Sequence, residues 1–298
     1  MYRFLYIHIG HNYTISLYIF IKYFYYMSNN IAISAIILTR NEEQNIRGCL
    51  ENIRDIVDEI IIIDGQSTDK TVDISREYTN KIFICEPKGY ADPDRQFAIE
   101  QCSGEWILYI DADERFSPAA LEFIRCRLFM RDDNVDAYAF PRRAYYDKDC
   151  KAYTKYANYP DYQKRLFRKR GATISHKVHT QVEVPGYVRE LSDNYYMIHL
   201  TPNSYSINAF TRHHLRYAKL EADQRENIKS LLWYLTVMPA SFCYFGIYRE
   251  FYKKKGYKDG LIGLQISLFL GSYYAAVNYY TLKNLLTGRY KRPSTNAK

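Results

Sequence analysis

Three carboxylates crowd the end of an apolar run in WILYIDADE (106–114): Asp111, Asp113 and Glu114. Like charges this close repel, and removing them from water is costly unless something positive lies between them. Water at an exposed turn would relieve them, and so would a divalent cation. At an extended strand end alternate side chains point the same way, so Asp111 and Asp113 can converge on one ligand. Two hard oxygen donors with open positions suit Mg²⁺ or Mn²⁺, which then collects phosphate oxygens from a substrate. The cation would offset charge growing on a diphosphate leaving group. Two other acidic positions invite a role. Asp64 closes EIIIID (59–64), where a carboxylate can accept from a nucleobase N–H or a ribose hydroxyl; an Asx-turn at Asp64-Gly65 is the plain alternative. Glu42, in TRNEE (39–43), opens a helix whose macrodipole alone would favour an acidic first turn.

These side chains need a scaffold, and the sequence supplies one. Ile31–Leu38 is a β-branched run followed by a helical stretch to about Arg54. Glu59–Asp64 reads as a second buried strand, with Ser67 or Thr68 as N-cap of the next helix. Lys81–Cys85 is a third strand, Arg95–Gln101 a helix with Arg95 at its start, and Trp106–Asp111 a fourth strand. Ser117-Pro118 then opens another helix. Strand–helix alternation predicts a parallel sheet, with ligands outside the carboxyl ends of its strands. TRNEE, DGQSTD and DADE all fall at such ends.

After Asp136 come short strands rich in basic and aromatic residues, to about His199, and then an amphipathic helix over Ser204–Asn227. Two uncharged stretches follow, Leu231–Tyr248, interrupted by Pro239, and Gly260–Leu282, joined by YREFYKKKGYKD. They are expected to lie on or dip into the cytoplasmic leaflet with lysines at the head groups, one or two spanning helices being the alternative. The expected divisions are an N-terminal extension (1–30), a catalytic domain (31–203, its nucleotide-binding half 31–115 and acceptor half 116–203) and a helical membrane-associating region (204–298). Met27 offers an alternative start, which would leave 1–26 without a role in the fold; a weak membrane anchor is the other reading.

The 298 residues carry a net charge of +8, with 47% hydrophobic and 25% charged residues. That size and balance fit one large α/β domain with an appendage. The 32 tyrosines suit a membrane interface, or a biased genome composition. The positive charge suits nucleic acid, anionic lipid or a phosphorylated substrate, and carboxylates at the pocket rim argue against nucleic acid. The six cysteines (49, 85, 102, 126, 150, 243) show no CxxC and no zinc-like spacing, so they read as reduced thiols.

TRNEE (39–43), IDGQSTDKT (63–71), DRQFAIEQCSGEWILYIDADE (94–114) and YPDYQKRLFRK (159–169) together resemble glycosyltransferase family 2, nearest its lipopolysaccharide-core beta-glucosyltransferase branch. FYKKKGYKDGLIGLQISLFL (251–270) is similar to the C-terminal region of that branch. The resemblance implies a GT-A-type, Rossmann-like, mostly parallel sheet flanked by helices. It also implies an inverting, metal-assisted transfer of a hexose, glucose first, from a nucleotide-diphosphate sugar to a membrane-held glycolipid acceptor. A polyprenyl phosphate or a protein as acceptor, or a non-catalytic sugar-nucleotide scaffold, are the alternatives. By resemblance Thr39, Glu42, Asp64 and Arg95 line the nucleotide pocket, Asp111 faces ribose and metal, and Asp113 is the principal metal ligand. Asp161 is the candidate general base, while Arg165 and His179 are candidate acceptor or phosphate contacts. Two departures stand out: Thr180 replaces the glutamate of a common Val-His-Glu, and Gln96 replaces a usual asparagine. The expected place of work is peripheral, on the cytoplasmic side of the inner membrane.

Overall fold

β-Branched runs with no charge inside them can be satisfied only between two apolar layers, and the first strands show this directly. The structure, a computed structural model, describes residues 33–86, 92–127, 134–146, 153–175, 181–200, 214–225 and 228–289. The expectations for residues 1–30 and for His179 lie outside them. In chain order the elements begin β1 (Ile33–Thr39), α1 (Ile46–Ile53), β2 (Glu59–Asp64), α2 (Thr71–Arg76), β3 (Ile82–Ile84), α3 (Asp92–Gln101), β4 (Trp106–Tyr109), β5 (Glu114–Phe116) and α4 (Pro118–Arg127). Then follow β6 (Ala137–Tyr145), β7 (Asp161–Arg168), β8 (Val188–Glu190) and β9 (Met197–Leu200). Along β1 and β2, alternate residues enter different apolar layers. Ile33, Ala35, Ile37, Ile60 and Ile62 pack with Ile46, Leu50 and Ile53 of α1. Ile36, Ile61 and Ile63 pack with Ala98 and Ile99 of α3.

The strand order is β3-β2-β1-β4-β7-β6-β9-β5, with β8 paired to β6. Strands β3, β2, β1 and β4 are parallel, as expected. The second half is mixed, which corrects the mostly parallel expectation there: β7 runs antiparallel to both β4 and β6, and β5 to β9. Antiparallel neighbours need no crossover helix, and none is described between β6 and β7. This reversal builds the site. With Leu108 opposite Leu166, the first residues of β7 project past the end of β4, beside the acidic turn. Arg142 of β6 sits directly opposite Asp161, and Glu114 of β5 opposite His199 of β9.

The C-terminal region contributes α5 (Leu215–Asp223), α6 (Leu231–Ser241), a wide π-helical segment (Phe242–Lys253), a short 3₁₀ turn (Gly256–Asp259) and α7 (Gly260–Leu286). Of the amphipathic helix expected over 204–227, residues 215–223 are seen, and 201–213 lie outside the described residues. Polar pairs tie α5 and the residues after it to α7: Arg225 Nη1 donates to Asn278 at 2.9 Å, and Asn284 Nδ2 to Asp223 at 2.6 Å. The π-helical segment crosses α7 at Gly246 and Gly271, where a β-carbon on Gly246 would lie 2.7 Å from the Ser267 carbonyl oxygen. Only glycine permits that approach.

Candidate active site

At the ends of β1 and β2 the two loops clasp each other. The Asp64 side chain is fully buried and accepts from Thr39 Oγ1 at 3.0 Å, from the Ser67 amide at 2.8 Å and from Ser67 Oγ at 2.5 Å. Ser67 is therefore spent on Asp64, and the helix expected to start there begins at Thr71, whose amide donates to Asp69 at 3.0 Å. Asn41, at φ 57°, donates its amide to Ser67 Oγ and accepts the Thr68 amide, both at 2.8 Å. Glu42 gives its amide to Thr71 Oγ1 at 2.7 Å, while its carboxylate takes Asn45 Nδ2 at 2.8 Å. Burial, above all, holds the Glu42 carboxyl above its ordinary value, and the charges of Asp113, Asp69 and Asp111 add to it against the Asn45 bond.

The DADE stretch is a turn rather than a strand end: the Glu114 amide donates to the Asp111 carbonyl at 2.9 Å. Asp111 and Asp113 accordingly take different partners instead of sharing one face, which corrects the extended-strand expectation. Between Asp111 and Glu114 sits the Arg165 guanidinium, 2.7 Å from Asp111 Oδ2 and 2.6 Å from Glu114 Oε1. Arg142 reaches the same Glu114 oxygen at 2.9 Å and Asp161 Oδ2 at 2.6 Å. Two arginines therefore supply positive charge inside the acidic cluster. Tyr109 donates its hydroxyl to Asp111 Oδ1 at 2.8 Å, and its ring lies under the guanidinium carbons of Arg165 and Arg95 at 4.4 and 5.0 Å. Burial alone would push the Asp111 carboxyl up; the Arg165 and Arg95 charges and the Tyr109 bond prevail and hold it well below the usual range. Asp161 is likewise held low: burial raises it, and Arg142, with the Gln163 amide at 2.8 Å, outweighs that.

Asp113 stands apart from the arginines, with Oδ2 3.2 Å from His199 Nε2 and its side chain 30% exposed. Arg95, Asp111, Asp161 and Arg165 line one cleft of about 770 Å³, together with Tyr109, Arg142, Gln163, Lys164 and His199. Thr39, Glu42 and Asp64 sit at the neighbouring strand ends, outside that lining. Arg165 is almost wholly buried, and Lys164, Arg168 and Lys169 bond to the Val182 carbonyl, Glu105 and the Cys102 carbonyl. The basic run 164–170 is thus largely turned inward. Cys49 and Cys102 are buried, and that burial pushes each thiol up to about 12, which leaves them inert packing groups.

The far wall of the cleft comes from the C-terminal helices: His214, Glu221, Phe269, Tyr273 and Tyr274. None of these was expected from the sequence, nor were the roles of Arg142 and His199. Arg142 could have been suspected as the isolated basic pair Arg142-Arg143 on an otherwise apolar strand; the helical wall carries no local signal.

A four-stranded parallel half with acidic turns at its carboxyl ends, extended by antiparallel strands that close over a cleft, defines a GT-A-like mixed α/β domain. Residues 34–182 match the model for glycosyl transferase family 2, and the chain belongs to that family. It is similar to the lipopolysaccharide core biosynthesis glycosyltransferase LpsC of Rhizobium meliloti, 36% identical over 124 residues, 40% of this chain and 45% of that protein. An uncharacterized glycosyltransferase of Rickettsia felis is 41% identical over 85 residues, 28% of this chain and 30% of that protein. The matches thus span less than half the length of either relative. Among solved structures, S. aureus TarS 1–349 in complex with UDP-GlcNAc aligns over 88% of this chain and 93% of its own, at 15% identity and a TM-score of 0.46.

Proposed function

We propose that this family 2 glycosyltransferase moves a hexose, glucose first, from a nucleotide-diphosphate sugar to a membrane-held glycolipid such as lipopolysaccharide core, with inversion at the anomeric carbon. The observation that carries the reading is the convergence of Arg95, Asp111, Arg165 and Asp161 on one cleft at the carboxyl ends of the parallel strands. The lipopolysaccharide core relative supports the acceptor class. Catalytic domain 31–203 and helical region 204–298 would act as one unit, since both wall the same cleft.

Among the described residues no group of three or more His, Cys, Asp or Glu side chains is placed to enclose a metal ion. The donor set still fits Mg²⁺ or Mn²⁺, because Asp113 is a rim carboxylate with its side chain 30% exposed, and such cations take one or two carboxylates and complete their shell with phosphate and water. Asp113 would be the principal ligand, with Asp111 beside it facing the ribose. When bound, the cation would supply charge neutralisation for the departing diphosphate. Arg95 and Lys164 add positive charge on the cleft wall. Thr39, Glu42 and Asp64 shape the nucleotide pocket, Asp64 by fixing the turn at Gly65–Ser67. Asp161, kept ionised by Arg142, would take the acceptor hydroxyl proton as that oxygen attacks; its lowered pKa makes it a weak base, so its worth lies in position.

The outer surface suits a membrane face. Among the described residues one helical run, Gly256–Leu286, is long and apolar enough to cross a bilayer, and the bent pair Leu231–Val237 with Phe242–Lys253 would be a second if it is one span. The buried side of Gly256–Leu286 nevertheless carries Ser267, Asn278, Thr281 and Asn284 packed into the protein, while Leu261, Leu264, Leu268 and Leu286 are exposed. With exposed Leu232, Trp233, Tyr248 and Tyr252, and exposed Lys253, Lys255 and Lys258 nearby, this one-sided pattern supports peripheral docking on the cytoplasmic leaflet.

The test is UDP release from a panel of UDP-hexoses with Mn²⁺ and three acceptors: lipopolysaccharide core, polyprenyl phosphate and a peptide. The core should stimulate release most, with an inverted linkage by NMR. Stimulation by polyprenyl phosphate or peptide instead would reassign the acceptor. Sugar-nucleotide binding with no transfer to any acceptor would make the chain a scaffold.

A further inference from the structure

The cleft has two chemically different ends. At the strand ends Arg95, Arg142, Lys164 and Arg165 outnumber the lining carboxylates Asp111 and Asp161, and an anionic diphosphate belongs there. The wall built by α5 and α7 contributes one carboxylate, Glu221, and no Lys or Arg to the lining. Glu221 Oε2 accepts the Tyr273 hydroxyl at 2.8 Å, and Arg225, one turn on, lies 3.7 Å from Glu221 Oε1. The Glu221 side chain is 28% exposed. A carboxylate offers about four lone-pair sites, so this one retains acceptor capacity toward the cleft. The Tyr273 hydroxyl, having donated its proton, can still accept. Around the pair the wall is aromatic and fixed: the His214 ring stands edge-on to Phe269 at 4.4 Å, and Tyr274 stacks on Phe245 at 4.1 Å.

Acceptors on a polar handle beside aromatic surface match the donors and C–H faces of a sugar ring. Arg225 is outside the cleft lining while Glu221 is in it, so a phosphate would meet the carboxylate first and a neutral group is favoured at this wall. We infer that Glu221 and Tyr273 form a subsite for an uncharged sugar ring of the acceptor, gripping its hydroxyls across the cleft from Asp161. The inference rests on the transferase reading for the word acceptor, while the site itself rests on geometry.

The probes are methyl glycosides of neutral hexoses, set against hexose 6-phosphates. Binding to the full chain is followed by saturation-transfer NMR with UDP and Mn²⁺ present. Neutral glycosides should bind in preference to the phosphates. Glu221→Gln should weaken them about tenfold or more, the scale of one charged hydrogen bond, and Tyr273→Phe severalfold. Glycosides that bind no better than phosphates, or equally well to both variants, overturn the subsite. If Glu221→Gln does not fold, Tyr273→Phe decides alone. The rise in melting temperature with UDP and Mn²⁺, measured on the same samples, separates the two claims. A UDP shift without glycoside binding refutes the subsite and spares the transferase reading. Glu221-dependent glycoside binding without a UDP shift does the reverse.

Discussion

Arg165 is wedged between Asp111 and the fully buried Glu114, so removing its charge would strand carboxylates in a low-dielectric interior. Arg165→Met should therefore cost about 3–5 kcal/mol in urea unfolding, the scale of a broken buried pair. Asp113 is the opposite case, a rim carboxylate facing His199. Asp113→Ala should leave the melting temperature within a few degrees while cutting transfer at least about 100-fold; retained turnover would remove it as metal ligand. Asp161→Asn should keep sugar-nucleotide binding and slow transfer by roughly 10²–10⁴-fold, the range of general base catalysis; unchanged turnover would exclude it as the base. The network also sets a pH dependence. Asp111 and Asp161 are both held below the ordinary carboxylate value. Their stabilisation is complete above the unfolded value of about 3.9 and is lost as pH falls below it toward the folded values. Urea midpoints should thus show no loss from these groups between about pH 7 and 5 and decline below about 4. The raised Glu42 carboxyl acts the other way above its unfolded value of about 4.3, so the decisive range is below about pH 4, where a midpoint that rises on further acidification would contradict the ion-pair assignment.

At the scale of elements, the segment before β7 is held by the C-terminal region. Asp259 accepts the amides of Lys155, Tyr156 and Ala157 at 3.0, 2.9 and 2.8 Å, and the buried Glu250 accepts that of Asn158 at 3.1 Å. Three residues later β7 opens with Asp161. Asp259→Ala should destabilise by about 1–3 kcal/mol for the orphaned amides and slow transfer more than it weakens donor binding; equal effects on both would make it a structural clamp only. The same scale explains what could be read in advance. The runs at Ile33–Thr39, Glu59–Asp64 and Trp106–Tyr109 announced buried parallel strands because each is apolar on both faces. Asp111 was legible because motifs at strand ends converge by topology, and Arg95 because its helix follows the third strand, while Asp161 came from the family resemblance alone; the structure lines one cleft with all three. Arg142, His199 and Glu221 were not legible. Their placement depends on the β6–β7 and β5–β9 registers and on how α5 meets α7, contacts between residues far apart in sequence. The DADE turn misled for a local reason: the Glu114 amide returning to Asp111 ended β4 early.

For the molecule as a whole, the candidate cleft and the apolar outer helices share α7, so the surface that would meet lipid also walls the site. Changing Lys253, Lys255 and Lys258 to Gln, and leaving Lys254 on its Glu250 partner at 3.2 Å, should weaken binding to anionic vesicles roughly 100-fold at low salt. That follows from about 1 kcal/mol for each lysine near the surface. Vesicle cosedimentation checks it, and undiminished binding would shift the weight to the apolar face or against docking. The proposed function stands on a sugar nucleotide held with a divalent cation at the Asp111–Asp113 turn. The measurement that tests it most directly is the melting temperature of wild type and Asp113→Ala with a panel of nucleotide sugars, with and without Mn²⁺. A ligand bound only to the native state must raise that temperature. A Mn²⁺-dependent rise with one nucleotide sugar is expected in the wild type, with little or none in the variant. No rise with any nucleotide sugar in folded protein, or an equal rise in Asp113→Ala, would contradict the proposed function.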